Sequence, residues 1–354
     1  MTRFSGWPPF AARLLIAGAL ALIAFSLIQP RYSRPTPKSA TAAPITDGEL
    51  YANIVNRVAT GQDYYAAAAA EHRKDSYPTS PPNVFREPAE ALFLARLPGE
   101  ASRWSALLAL TVVAAFSART AIARTSIPAR MRLAAVLAIT AGLSNAGMPH
   151  APYMHEVWAS LLIVLSLCVY QTKRPAVAAS LGLAACLIRE LALPYVLAMA
   201  AMDLLERRWR DAVCWLAATV AFVACYAAHL SRAAELHMPG DLVSSGWIGL
   251  GGWRFVLMTA RRNAFLALTP AWVVATVVVA AAIGLVGCRD RWVARIAVVV
   301  VGYLAAVTLL GRPDNEYWGI LWAPLLPLGL ALAPAALRDL TRQAFPAAIA
   351  RRPT

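Results

Sequence analysis

Residues 14–29 read LLIAGALALIAFSLIQ, sixteen positions without a charge and with only Ser26 and Gln29 polar. A helix built from this run is apolar on every side, so it has no face to offer water and must sit inside protein or lipid. Comparable blocks recur at 104–123, 133–149, 157–171, 176–188, 191–205, 213–230, 264–287, 292–310 and 319–337. Several reach the roughly 17–25 residues that carry a helix across a bilayer, where every backbone polar group must be satisfied internally. Of the 354 residues, 59% are hydrophobic and only 15% charged, and the mean hydropathy is +0.54. Soluble domains carry about 25% charge. The expectation is an all-α polytopic membrane protein of about ten helices, eight to ten of them crossing. The short blocks 176–188 and 191–205 form either two spans or one re-entrant hairpin.

Lys and Arg set the expected orientation. Arg119, Arg124, Arg130, Arg132, Lys173, Arg174, Arg207, Arg208, Arg210, Arg289, Arg291 and Arg295 fall in or beside alternate short connections. The termini add Arg3, Arg13, Arg338, Arg342, Arg351 and Arg352, whereas the connection 150–156 has no Lys or Arg. This is the positive-inside pattern with both termini cytoplasmic. It places most of the net charge of +14 on the inner side, facing anionic lipid, and excludes a nucleic-acid patch. Trp7, Trp104, Trp158, Trp209, Trp292 and Trp318 lie at block ends, as an interfacial aromatic belt requires. Ala40-Thr41-Ala42 has the look of a signal-peptide cleavage site, but the apolar run ends near Ile28, too far upstream, so an uncleaved first helix is expected. The organisation is then 1–29, cytoplasmic N-terminus and first span; 30–103, first outer loop; 104–230, membrane helices; 231–263, second outer loop; and 264–354, membrane helices and a short cytoplasmic tail.

Under this topology His72, His150, His155, His229 and His237 and 14 of 19 carboxylates are outside, so the working face is outside. No Gly-rich phosphate loop is present. The five cysteines lie in or at the ends of apolar blocks and show neither a disulfide framework nor metal spacing. No cofactor is expected, and a divalent metal finds no support.

The first outer loop opens with a Pro/Ser/Thr-rich linker to Pro44 and continues Ile45-Thr46-Asp47-Gly48-Glu49-Leu50-Tyr51-Ala52-Asn53-Ile54-Val55-Asn56-Arg57-Val58, then Gly61-Gln62-Asp63-Tyr64-Tyr65. Leu50, Ile54, Val55 and Val58 share a helical face, predicting a short amphipathic helix on the membrane surface. Thr46-x-x-Glu49 is a capping box, and Asp47 in the first turn suits the helix dipole, so both acids have a purely structural reading. A second proline cluster, Pro78–Pro82, precedes Phe85-Arg86-Glu87-Pro88.

The stretch from Asp47 to Ile54 followed by Gly61-Gln62-Asp63-Tyr64 resembles the first outer loop of GT-C type integral-membrane glycosyltransferases, such as protein mannosyltransferases and lipid A aminoarabinose transferases. In that superfamily an acid starts this loop, followed by a Tyr-Ala-x-Ile helix and a Gly-Asp-Tyr/Trp turn. Many members have two adjacent acids, whereas here Gly48 separates Asp47 from Glu49. Ile188-Arg189-Glu190-Leu191-Ala192-Leu193-Pro194 and Asn315-Glu316-Tyr317-Trp318 are also similar to such proteins. The resemblance implies a sugar donor on a polyprenyl monophosphate, an envelope lipid, glycan or protein as acceptor, and Asp47 as the base, with Glu49 as a second candidate.

Transfer from a phosphate-linked sugar needs a carboxylate to take the acceptor proton and cations to hold the departing phosphate. A single carboxylate suffices for inversion, whereas retention needs a second as nucleophile. Arg189, between two apolar runs, is the candidate phosphate contact, since guanidinium suits phosphate oxygens; Arg86 and Arg261-Arg262 compete. The alternative is a structural Arg189–Glu190 pair. Asp63, Tyr64, His155, Glu156, Glu190 and Tyr317 complete the expected substrate site. His155-Glu156 also reads as interfacial polarity, and Trp247 and Trp253 as a sugar platform or a re-entrant anchor. Two other activities fit the same topology: an envelope glycan polymerase or ligase, and a transporter or flippase. A transporter would carry midplane charges and an internal repeat, and no repeat is visible.

Overall fold

The computed structural model describes residues 2–28, 45–246 and 249–346. The linker 30–44 with Ala40-Thr41-Ala42, Trp247 and the terminal Arg351-Arg352 lie outside them. Among the described residues the fold is entirely helical, with one isolated parallel bridge, Ser80 to Val243. The helices are α1 (Pro9–Leu27), α2 (Asp47–Ala59), α3 (Tyr64–Lys74), α4 (Ala89–Ala95), α5 (Gly99–Ala123), α6 (Ala129–Gly142), α7 (His155–Tyr170), α8 (Pro175–Ile188), α9 (Leu193–Leu205), α10 (Trp209–Ala234), α11 (Gly252–Ala260), α12 (Ala271–Gly287), α13 (Arg291–Leu309) and α14 (Leu326–Ala344).

Each apolar block is helical, but the expected eight to ten crossings are not found among the described residues. Among the described residues four helices are long and apolar enough to cross a membrane: α1, α5, α10 and α13. A fifth arises if Asp314–Leu321 and α14, bent by 69°, count as one. Proline and glycine cut several of the others short. Pro128 precedes α6, which ends at Gly142 after 14 residues; Pro175 opens α8, also 14 residues; and Pro270 precedes the 17 residues of α12. At a rise of 1.5 Å per residue these helices cover about 21–26 Å, against a hydrocarbon core of about 30 Å. The broken pair α8–α9 follows from Pro194: its ring collides with the carbonyl four residues back, so the helix cannot run through 189–192.

The chain forms two compact units. Unit 1 comprises residues 1–33, 115–144 and 249–354. Its centre is α12 against α14, with α6 on α14 and α1 against both. Gly284 and Gly329 make this crossing possible: a Cβ on Gly284 would stand 2.0 Å from the Gly329 carbonyl oxygen, and one on Gly329 2.2 Å from that of Ala281. Beside it α1, α12 and α13 line an apolar hollow of about 1000 Å³, with Trp7 and Trp253 in its wall.

Unit 2 comprises residues 34–114 and 145–248. Here α8 packs on α7 and α10, and α9 on α10. The loop helix α2 packs against α3 and α4, which corrects one expectation: Leu50, Ile54 and Val55 are buried in the protein, not laid on a membrane surface. Described parts of the two long loops of the sequence are joined within this unit. Arg73 holds Asp241 through Nε at 2.7 Å and Nη2 at 2.8 Å, and the Thr79 amide donates to the Leu242 carbonyl at 3.0 Å. Of the expected aromatic belt, Trp209 is exposed, but Trp158 and Trp292 are buried.

Candidate functional site

The site is assembled on α2. Thr46 caps this helix and Glu49 closes the capping box, its carboxylate accepting from the Thr46 amide at 2.7 Å and hydroxyl at 2.8 Å. These hydrogen bonds hold the Glu49 carboxyl below its ordinary range. Glu49 is therefore occupied by the cap, while Asp47, two residues earlier, points to different partners. Its Oδ1 accepts from the Tyr77 hydroxyl at 3.0 Å, and the same hydroxyl reaches the Ile45 carbonyl at 3.0 Å. Gly48 has a steric reason: a Cβ there would lie 2.5 Å from the His150 Cβ. An acid cannot replace it without displacing His150, which accounts for the separation of Asp47 from Glu49.

One helical turn beyond Asp47, Tyr51 presents its hydroxyl to Arg86 Nε at 3.2 Å. Arg86 comes from the loop after Pro78–Pro82, and its backbone is fixed by the Tyr64 hydroxyl, which donates to the Arg86 carbonyl at 2.5 Å. Burial pushes the Tyr64 phenol well above its usual range, so it stays a donor. Asp63 caps α3, accepting from the Ala66 amide at 3.1 Å. It is exposed and serves that helix end.

Arg86 Nη1 lies 3.9 Å from Glu190 Oε1 and leads into a buried ionic network. The backbone leaves α8 at Ile188, and Arg189 adopts an extended conformation (φ −148°, ψ 110°) that turns its side chain inward. Its guanidinium meets Glu156 Oε1 at 2.6 Å through Nε and Glu190 Oε1 at 2.6 Å through Nη1. Arg189 is 1% exposed. Glu156 comes from the first turn of α7, beside His155, whose Nε2 lies 3.6 Å from Glu90 Oε2 and whose ring meets Tyr51 edge-on at 4.6 Å. Glu90 on α4 and Glu87 just before it are both buried. Desolvation, with the neighbouring charge of Glu190, raises the Glu87 carboxyl; desolvation, with Glu156, pushes that of Glu90 well up. Both therefore favour the neutral form, which leaves Glu156 and Glu190 as the ionic partners of Arg189. His229 closes the cluster, its Nε2 3.2 Å from the Phe85 carbonyl and its Nδ1 3.2 Å from the Tyr65 hydroxyl.

Asp47, Arg86, Tyr64, His155, Glu156, Arg189 and Glu190 thus all belong to unit 2, from five separate stretches of chain. Tyr317 belongs to unit 1, in the 3-10 turn Pro313–Leu321. Arg262, the other phosphate candidate, is in unit 1 as well and is paired with Glu316 at 2.6 Å. Sequence reasoning missed Glu87, Glu90, Tyr77 and His229 as site residues. Glu87 stood next to Arg86 in the quoted motif; for Glu90, Tyr77 and His229 no local pattern marks the role. Among the described residues no group of three or more His, Cys, Asp or Glu side chains is arranged to hold a metal ion. No protein-family model, curated protein or solved structure matches this chain.

Proposed function

We propose that this protein is a bacterial inner-membrane glycosyltransferase of the GT-C type, moving a sugar from a polyprenyl-phosphate donor to an envelope acceptor at the outer face. The observation that carries the reading is that α2 holds Asp47 and, one turn further on, Tyr51, whose hydroxyl accepts from Arg86 Nε at 3.2 Å. A base and a phosphate-binding cation are the two groups that an inverting displacement needs. Asp47 takes the proton of the acceptor hydroxyl as that oxygen attacks the anomeric carbon. The bond from that carbon to the phosphate oxygen breaks, and the phosphate leaves with the electron pair. Arg86, with a side chain 10% exposed, is the cation for this phosphate. Arg189 is engaged by two carboxylates, so its part is to hold Glu190 beside Arg86. The short loop helices form the site over the break between α8 and α9, an arrangement suited to transfer at the edge of an apolar layer. The expected topology, with both termini cytoplasmic, belongs to this proposal.

A second reading has an observation of its own. Buried carboxylates held neutral beside a histidine and two arginines are also what a proton-coupled transporter carries. The two separate on Asp47, which the transporter reading does not use.

The test compares envelope glycans by mass spectrometry from cells with the gene, without it, and with Asp47→Asn. Asparagine keeps an oxygen for the Tyr77 hydroxyl, so the variant should reach normal abundance yet give the glycan profile of the deletion. A profile like that of the unaltered protein removes Asp47 as base.

A further inference from the structure

In unit 1 the N-terminal segment at Thr2, the start of α6, the end of α12 with the turn after it, and α14 line a cavity of about 160 Å³. This is far above the roughly 10–15 Å³ that admits one water. Arg130 from the first turn of α6, Arg289 from the turn after α12 and Arg338 from α14 all line it. The carboxylates nearby are already engaged. Asp339 accepts from the Thr2 amide at 2.8 Å and pairs with Arg338 at 3.3 Å. Asp290 accepts from Ser126 and caps α13 through the Trp292 and Val293 amides. Arg289 gives Nε to the Thr2 carbonyl and Nη2 to the Ser5 hydroxyl. Among the described residues the Arg130 guanidinium makes no hydrogen bond or ion pair.

We propose that this cavity binds a phosphate group, carried on the small polar head of an anionic membrane lipid. Three guanidiniums from three segments outnumber the two carboxylates nearby, Asp339 and Asp290, and their forks match phosphate oxygens. The opposite wall, with Ile127, Met131 and Leu332, is apolar. A ligand with a charged head and an apolar shoulder fits such a wall better than a free ion does. The position fits too: α12 is among the most apolar helices of the chain, and the cavity lies where it ends. Basic pockets of this kind between membrane helices bind anionic headgroups. Being in unit 1, the site is independent of the reading given to Asp47.

The experiment uses the full chain purified in a neutral detergent, with thermal stability and native mass spectrometry as readouts. The additions are phosphatidylglycerol, phosphatidylcholine, glycerol phosphate and inorganic phosphate. Phosphatidylglycerol should stay bound in the mass spectrum and raise the melting temperature, whereas phosphatidylcholine should do neither. Arg130→Gln should weaken that binding tenfold or more without changing lipid-free stability, since this side chain has no protein partner to lose. Arg210→Gln, an exposed arginine of unit 2, should leave binding unchanged. Glycerol phosphate or inorganic phosphate binding as tightly, with the same Arg130 dependence, would keep the phosphate site but assign it a soluble ligand. Equal binding by the unaltered protein and Arg130→Gln in all arms overturns the proposal.

Discussion

Replacing Arg189 by methionine removes the cation from a site where it meets two carboxylates at 2.6 Å each, but the two are not equivalent. The Glu156 side chain is 3% exposed, whereas that of Glu190 is 26% exposed and has Arg86 at 3.9 Å as a second cation. Breaking a buried pair by removing one partner costs about 3–5 kcal/mol, because the remaining charge is stranded. Glu156 is the charge stranded here. For a domain of 150–250 residues, about 2–4 °C is lost per kcal/mol, so Arg189→Met should lower the melting temperature by about 6–20 °C. The diagnostic is the pair of double variants. Arg189→Met with Glu156→Gln should recover half or more of the loss, since removing both members of a buried pair is often close to neutral. Arg189→Met with Glu190→Gln should recover little. Thermal unfolding in detergent, followed by tryptophan fluorescence, gives the coupling energy for each pair. If the Glu190 double variant recovers as much as the Glu156 one, the assignment of Glu156 as the principal partner is wrong. A single-variant loss under about 1 kcal/mol would mean that the network is hydrated, not buried.

Gly284→Ala should destabilise by about 3 kcal/mol or more, at the top of the overpacking range, because its Cβ meets backbone and not a movable side chain; Gly18→Ala, with nothing within 4 Å, should be neutral in the same thermal assay. His72 is held neutral by burial, with its pKa lowered to about 4 from 6.5, while its Nδ1 lies 2.7 Å from the Pro78 carbonyl. The unfolded chain then binds the extra proton between these values, so acidification from pH 6.5 to 4 should remove about 3 kcal/mol. That part of the melting-temperature slope should flatten in His72→Gln, and an unchanged slope assigns it to other groups. Reporter fusions after residues 70 and 250 should read outside, and those after 130, 210 and 345 inside; a cytoplasmic signal at 70 would put Asp47 in the wrong compartment for the proposed reaction.

Much of the local structure was legible in the residues. The uncharged run from Leu14 and its counterparts predicted helices, and helices are what the structure has at each block. Thr46 and Glu49 predicted a capping box, and both of its hydrogen bonds are present. These are effects within one or two turns of chain, where backbone propensity and side-chain spacing suffice. Span number was not legible, because hydropathy measures how apolar a block is and not how far it runs before Pro128, Gly142 or Pro194 interrupts it. Nor does periodicity say what covers an apolar face: Leu50, Ile54 and Val55 predicted a surface for lipid, and the structure covers them with protein. The partner of Arg189 was decided only by tertiary structure. The adjacent Glu190 was in plain view, but Glu156 lies 33 positions away along the chain. An extended residue at the end of α8 brings the two together, because a guanidinium turned into an apolar interior needs a buried carboxylate within reach.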